Sequence, residues 1–500
     1  MGRGRYPCQE YLLTARLTMR QNLLKKRKAG IICTIGPASA DREVLFRLIR
    51  CGMDIARLNF SHGSYAFHRK MVRTLRQGSV SQGIPVSIMQ DLQGIKLRLG
   101  PMKNGGVELK KGSDVRIRPG EGMGDEKDLY VSYPLLLKDA RSGDRILLDD
   151  GLVELRVTGR TREGLAALVI EGGVVRDRKG VNLPGMKISM QPFTDKDRRD
   201  LEFGLSMKVD CVALSFVRSA SDIRIVKNWM KKKGRHIPVI AKIEKPEALA
   251  AIDEIIDEAD GIMIARGDLG VEVYPEEVPL IQKDLIEKAN RRGRLVITAT
   301  QMLESMREHL RPTRAEATDI ANAVIDGSDA LMLSAETASG MHPVEAFRMM
   351  DRIIRYTEQK RHTLSAYEGG PTYADALADG ACRAAEDIGA KVVACFTRTG
   401  FTARILSKLR PAVPIVAFTP DKATLSCLPL YWGVTPKYMR PADTIDRLTA
   451  AIERDLLRSK IAGKGDRVVI IAGSPLPAGA KTNFMKLHTI RGISASAGGQ

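Results

Sequence analysis

Five hundred residues exceed one ordinary core and fit about two to four domains, which excludes a single small binding module. A chain that is 44% hydrophobic and 28% charged is neither disordered nor collagen-like, and no run approaches the roughly 18 consecutive apolar residues of a membrane span. The formal net charge of +20 raises nucleic acid, a membrane surface or anionic metabolites as partners, and its distribution must decide between them.

The opening run MGRGRYPCQE lacks the apolar segment of a secretory signal, so a cytoplasmic location is expected. Residues 1–28 hold eight basic side chains (Arg3, Arg5, Arg16, Arg20, Lys25, Lys26, Arg27, Lys28) and one acid, Glu10, so this stretch carries +7 of the +20. It reads as an extension outside the main fold: an organelle-targeting leader, an upstream piece before a start at Met19, or a solvated basic arm. The seven cysteines (Cys8, Cys33, Cys51, Cys211, Cys382, Cys395, Cys427) form no CxxC pair, which fits ordinary thiols in a reducing compartment.

From Gly30 onward, short β-rich runs alternate with amphipathic helical stretches. The expected strands are 30–36, 54–60, 85–91, 209–216, 238–244, 261–268, 295–301 and 330–336. Between them PEALAAIDEIIDEA reads as one helix, with Pro246 in its first turn and Leu249, Ile252, Ile255, Ile256 and Ala259 on one face. Another helix starts at Thr313, where Thr-x-x-Glu to Glu316 is a capping box. Eight strand–helix units predict an α/β fold, a (β/α)8 TIM barrel catalytic domain over 29–95 and 191–360. The third unit is interrupted by residues 96–190, which lose the helical period and predict an inserted small β-barrel lid domain. A linker with Gly369, Gly370 and Pro371 precedes a C-terminal doubly wound α/β domain over 371–490, with strands KVVACFT, PIVAFTP, RVVIIAG and TNFMKLHTI. Residues 491–500 read as a disordered tail.

Barrel chemistry sits at the C-terminal ends of the strands, and polar residues fall there. The second strand ends on Arg57, Asn59 and Ser61, which a period of two places on one side. The fifth ends on Lys242 and Glu244, again two apart. The sixth runs into Arg266-Gly267-Asp268, the seventh into Thr298-Ala299-Thr300 and the eighth into Ser334-Ala335-Glu336-Thr337. Carboxylates at Glu244 and Asp268 without Cys or His suit a hard cation, Mg²⁺ or Mn²⁺. Together with Arg57, Arg266 and Lys242 they suit a substrate bearing both phosphate and carboxylate, the latter on amides of the Arg266-Gly267-Asp268 turn.

The runs RLNFSHG, KGVNLPG, AKIE, MIARGDLGVE, TATQMLESM, PTRAEATDIANAV and LSAETASG closely resemble the pyruvate kinase family, from about Lys28 to Ile490. The resemblance implies phosphoryl transfer from phosphoenolpyruvate to ADP in glycolysis, giving pyruvate and ATP. Lys242 becomes the catalytic lysine, Arg57 a contact of the transferring phosphate and Thr300 part of the proton path to the enolate carbon. Gly267 and Asp268 take the substrate carboxylate through their amides, Ser215 and Phe216 line the pocket, and Glu244 and Asp268 hold the metal. Asn59, His62, Arg98 and Lys179 face the nucleotide. Members that need K⁺ carry Thr and Glu where this chain has Leu92 and Lys96. With Asn59, Ser61 and Asp91 retained, this resembles the K⁺-independent branch, in which a lysine ammonium supplies the missing charge. Thr397, Arg398, Thr399, Gly400 and Thr402, between a strand and a helix, are the expected site of a phosphorylated allosteric effector. The family also implies a homotetramer, with no nucleic-acid or membrane partner. Two other readings compete: a metal-dependent aldolase on a related barrel, and a basic nucleic-acid-binding or regulatory protein on an inactive one. KGVNLPG and the C-terminal domain oppose the first, and the complete set Arg57, Lys242, Glu244, Asp268 and Thr300 opposes the second.

Overall fold

Largely apolar runs, with a few polar residues such as Arg57, Gln90 and Lys242, become strands buried on both faces, and eight of them close into a parallel barrel. The computed structural model describes residues 24–361, 365–473 and 481–492. The barrel strands are Gly30–Thr34, Ile55–Asn59, Ser87–Asp91, Cys211–Leu214, Val239–Ile243, Gly261–Ala265, Leu295–Ala299 and Ala330–Leu333, each beside its neighbour in sequence. Asn59 is their only residue that is not buried. Apart from the third, which ends at Asp91 as expected, the strands stop short of the expected C-terminal ends because the chain turns at once into loops or helices there. The sixth ends at Ala265, and Arg266–Glu272 is already helical.

The chain divides into two compact units, Met1–Gln90 with Ser206–Cys211 and Ile286–Gln500, and Asp91–Leu205 with Val212–Leu285. The second unit contains the insertion, a six-stranded sheet and a two-stranded pair around one core that includes Leu129, Tyr133, Leu155 and Leu165. Both ends of the insertion are tied down. The Gly94 amide donates to Asp197 at 3.1 Å, while Arg218 donates to the carbonyls of Ile188 and Met190. The helix expected over PEALAAIDEIIDEA is two, Pro246–Ala250 and Ile252–Glu258, parted at Ala251 (φ −106°, ψ 19°). Ile252, Ile255, Ile256 and Ala259 are buried as expected, whereas Leu249 is half-buried.

In the first unit the Thr313 capping box forms as read: Thr313 Oγ1 accepts from the Glu316 amide, and Glu316 accepts from the Thr313 amide at 2.7 Å. The C-terminal domain is a five-stranded sheet with Thr482–Thr489 antiparallel at one edge. Alternate residues feed two cores: Val393, Cys395, Val469 and Ile471 enter one, and Val392, Ala394, Val468 and Ile470 the other. Its other edge strand, Val434–Tyr438, is absent from the expected set, because Pro436 and Lys437 disguise a sequence that only an edge position tolerates. Lys408 closes the helix Phe401–Lys408 and reaches Asp329 at 2.5 Å and Asn290 at 2.8 Å, with Arg410 on the other Asp329 oxygen at 2.8 Å. Burial pushes the Lys408 ammonium down to about 8.

One expectation is corrected at the N-terminus. Lys25, Arg27 and Lys28 belong to the fold and are not part of a solvated arm. Arg27 is buried and pairs with Asp54 at 2.7 Å, and Lys25 reaches the other Asp54 oxygen at 2.8 Å. Burial pushes the Asp54 carboxyl up, but these two cations hold it below its usual range. Lys28 donates to the carbonyls of Pro411 and Ala412 and lies over the Trp432 ring. The remainder of the basic stretch, residues 1–23, and residues 493–500 of the expected tail lie outside the described residues.

Candidate active site

In the second unit, the Lys242 ammonium is 2.8 Å from Glu244 Oε1, 2.8 Å from Ser215 Oγ and 3.4 Å from Asp91 Oδ1. The two-residue spacing on the fifth strand thus brings cation and carboxylate together as expected. The Phe216 amide donates to Glu244 Oε2 at 2.8 Å, from a left-handed backbone (φ 55°) rare for an aromatic residue. Burial pushes the Glu244 carboxyl up, Lys242 opposes the rise, and the Asp268 carboxylate adds to it. Gly267 and Asp268 occupy the first turn of the helix Arg266–Glu272, and Arg266 itself reaches Gln282.

The donor set fits a divalent cation that takes only part of its coordination from protein. Among the described residues no three His, Cys, Asp or Glu side chains group as metal ligands; Glu244 and Asp268, oxygen donors whose charges act on each other, would leave most of a cation's positions to substrate and water. That is the habit of Mg²⁺. Lys96 is exposed overall, yet partial burial of its ammonium and the Arg98 charge push its pKa down, while Asp268 opposes them. Leu92 is buried. Arg98 faces Gly180 in an isolated antiparallel bridge, and the Leu99 amide donates to the Lys179 carbonyl at 2.9 Å, so Arg98 and Lys179 lie on facing segments, with the Lys179 ammonium on Asp149 at 2.9 Å.

In the first unit, Arg57 is buried and donates to Thr34 Oγ1 at 2.9 Å, and Thr34 donates to the Leu333 carbonyl, so the first and eighth strands fix the guanidinium. Asn59 Oδ1 accepts from the Ser61 amide at 3.0 Å. The His62 carbonyl accepts from His68, whose ring stacks on Phe60 at 4.0 Å. Thr300 and Gln301 are both left-handed (φ 70° and 54°), a conformation that a β-branched residue adopts only under constraint. Glu336 is buried and accepts from the amides of Leu303 and Ser334, which makes it a brace between the loops after the seventh and eighth strands.

Residues 26–347 match the family described as pyruvate kinase, barrel domain, and residues 375–488 the one described as pyruvate kinase, alpha/beta domain. The chain belongs to the pyruvate kinase family. A pyruvate kinase of Geobacillus stearothermophilus is 43% identical over 482 residues, spanning 95% of this chain and 82% of the relative. One from Corynebacterium efficiens is 43% identical over 465 residues, 93% of this chain and 98% of the relative. The solved structure of a Cryptosporidium parvum pyruvate kinase superposes with a TM-score of 0.87 at 35% identity, covering 94% of this chain and 98% of that one. The activity of this pyruvate kinase-family chain is therefore glycolytic phosphoryl transfer from phosphoenolpyruvate to ADP, giving pyruvate and ATP, in a family that generally uses Mg²⁺. The expected barrel, inserted β domain and C-terminal α/β domain are borne out.

The expected effector cluster is divided. Thr397 Oγ1 accepts from the Gly400 amide and closes the turn, while the Thr402 hydroxyl is buried 2.7 Å from that of Thr482. Arg398 and Thr399 are exposed, whereas Thr397, Gly400 and Thr402 are buried. Sequence reasoning missed Thr34 under Arg57, Asp197 at the insertion hinge, and the pair Lys245 and Glu272. Glu272 carried a usable signal: it lies one helical turn after Asp268, on the same face.

Proposed function

We propose that Lys242 neutralises the phosphoryl group in flight and the developing enolate, with Arg57 on the transferring phosphate. The enol P–O bond breaks as the ADP oxygen bonds to phosphorus, and the enolate carbon then takes a proton along a path that includes Thr300. The Gly267 and Asp268 amides hold the substrate carboxylate, and Ser215 and Phe216 line its pocket. Asn59, His62, Arg98 and Lys179 meet the nucleotide. Glu244 and Asp268 hold Mg²⁺ or Mn²⁺, which when bound supplies Lewis-acid charge neutralisation at the phosphoryl oxygens. The single observation that carries this reading is the buried ammonium of Lys242 fixed between Glu244, Ser215 and Asp91, since phosphoryl transfer asks chiefly for preorganised charge.

The Lys96 ammonium takes the place of K⁺ beside the remnant Asn59, Ser61 and Asp91. Its support is that three of the four charges it feels, Arg98, Asp268 and Lys242, belong to the site as read, the fourth being Asp150. In K⁺-free buffer, pyruvate formation is expected to proceed at its full rate and to stay unchanged when K⁺ is added, and Leu92→Thr/Lys96→Glu to become K⁺-dependent. Strong activation of the wild type by K⁺ would refute the assignment. A homotetramer in the cytoplasm, with a phosphorylated effector near Arg398 and Thr399, completes the reading. The free thiols among the described residues fit that compartment, and sedimentation of the purified chain tests the assembly.

A further inference from the structure

Glu272 ends the helix Arg266–Glu272, one turn beyond Asp268. Its side chain is 1% exposed, and its Oε1 accepts from Lys245 Nζ at 2.6 Å and from Asn182 Nδ2 at 2.9 Å. Lys245 is buried and directly follows Glu244. Asn182 lies in the strand Val181–Asn182 of the inserted β domain. One carboxylate oxygen therefore joins three segments: the strand end carrying Glu244, the helix carrying Asp268, and the insertion. The other oxygen, Oε2, is buried with no hydrogen-bond partner among the described residues. A buried ion pair with an unsatisfied oxygen is a poor source of stability, since desolvation offsets much of the attraction. What it does supply is a directional tie of fixed length between two chain segments.

We propose that Lys245 and Glu272 are positioning residues for the divalent cation, fixing the spacing of the Glu244 and Asp268 carboxylates, and that Asn182 couples the inserted domain to the same tie. The proposal rests on reading Glu244 and Asp268 as the cation's ligands. Groups that orient metal ligands typically change metal affinity by about 10–100-fold when lost. Charge alone predicts the opposite sign at Lys245, because deleting a cation near a divalent-ion site favours binding.

The test is a titration of the purified full-length chain with Mn²⁺, read by the electron paramagnetic resonance of free Mn²⁺, with pyruvate formation followed against Mn²⁺ in parallel. Lys245→Met is expected to weaken Mn²⁺ binding by about tenfold or more, Lys245→Arg to restore most of it, and saturating Mn²⁺ to recover kcat in both. Asn182→Ala, at a partly exposed position, is expected to weaken binding in the same direction. Unchanged or tighter binding in a folded Lys245→Met overturns the proposal. If that variant does not fold, unchanged binding in Asn182→Ala does so. Glu244→Gln separates the two levels: loss of Mn²⁺ binding there, with wild-type binding in the positioning variants, overturns positioning alone. Wild-type binding in Glu244→Gln removes the ligand assignment and the proposal together.

Discussion

Gly94 stands at φ 64° against the loop that presents Ser215 and Phe216, and a Cβ there would lie 2.8 Å from Phe216 Cδ2 and 3.1 Å from Ser215 Cβ. Gly94→Ala therefore combines a left-handed penalty of roughly 1–2 kcal/mol with displacement of the residue whose amide holds Glu244. Both kcat/KM for phosphoenolpyruvate and the melting temperature should fall, and wild-type kcat/KM would show that Phe216 is not needed in place. Asp210 makes one contribution to the response to pH. Asp210 accepts from the Ile88 amide at 2.6 Å and from Arg76 at 2.7 Å, but burial outweighs both and pushes its carboxyl up to about 6. The folded chain thus keeps a proton that the unfolded chain releases near pH 4, so this group's contribution to stability falls as pH rises from about 4 to about 6 and is level above. The melting temperature of the wild type minus that of Asp210→Asn should decline across that window, and a difference that grows with pH would contradict the assignment. At this scale Lys242 and Glu244 were legible in the sequence, because a strand's period of two settles which neighbours share a face. Glu272 was marked only by its spacing from Asp268, because its partners come from segments 27 and 90 residues away, a pairing only the fold makes.

The helix Arg314–Asp326 shows how one element is anchored twice. Thr313 caps it, while Glu316 completes the box and also accepts from the amide and hydroxyl of Ser305 at 2.8 Å and 2.5 Å. Losing the Thr313 cap should cost about 1 kcal/mol. Glu316→Ala should cost more, since it frees the Ser305 amide and hydroxyl as well as the Thr313 amide. Chemical denaturation of the two variants checks the order, and equal losses would mean the Ser305 bonds contribute nothing. The barrel strands and this cap were readable because each is written in local signals: apolar runs, a Thr-x-x-Glu spacing. The break at Ala251 and the edge strand Val434–Tyr438 carried no such signal, since one is a change of dihedral within a continuous apolar pattern and the other owes its existence to its neighbour Ile415–Thr419.

At the scale of the whole molecule, length and alternation foretold a barrel with an insertion and a second α/β domain, while the net charge left nucleic acid, a membrane surface and anionic metabolites open as partners. The charge also misled. Lys25, Arg27 and Lys28 read as part of an extension outside the main fold, yet they pair with Asp54 or cap carbonyls, because a basic run in sequence says nothing of the buried acids that await it. Most of the inferred chemistry converges on Lys242, which among the described residues joins Glu244, Ser215 and Asp91. The decisive measurement is ADP-dependent pyruvate formation from phosphoenolpyruvate with Mg²⁺ by the wild type and by Lys242→Met, at saturating substrates. Turnover by the wild type is expected, with a fall in kcat on the order of 10²–10³ or more in the variant, the loss expected for one preorganised charge. Equal turnover by the two proteins, or a wild type that makes no ADP-dependent pyruvate, would contradict this.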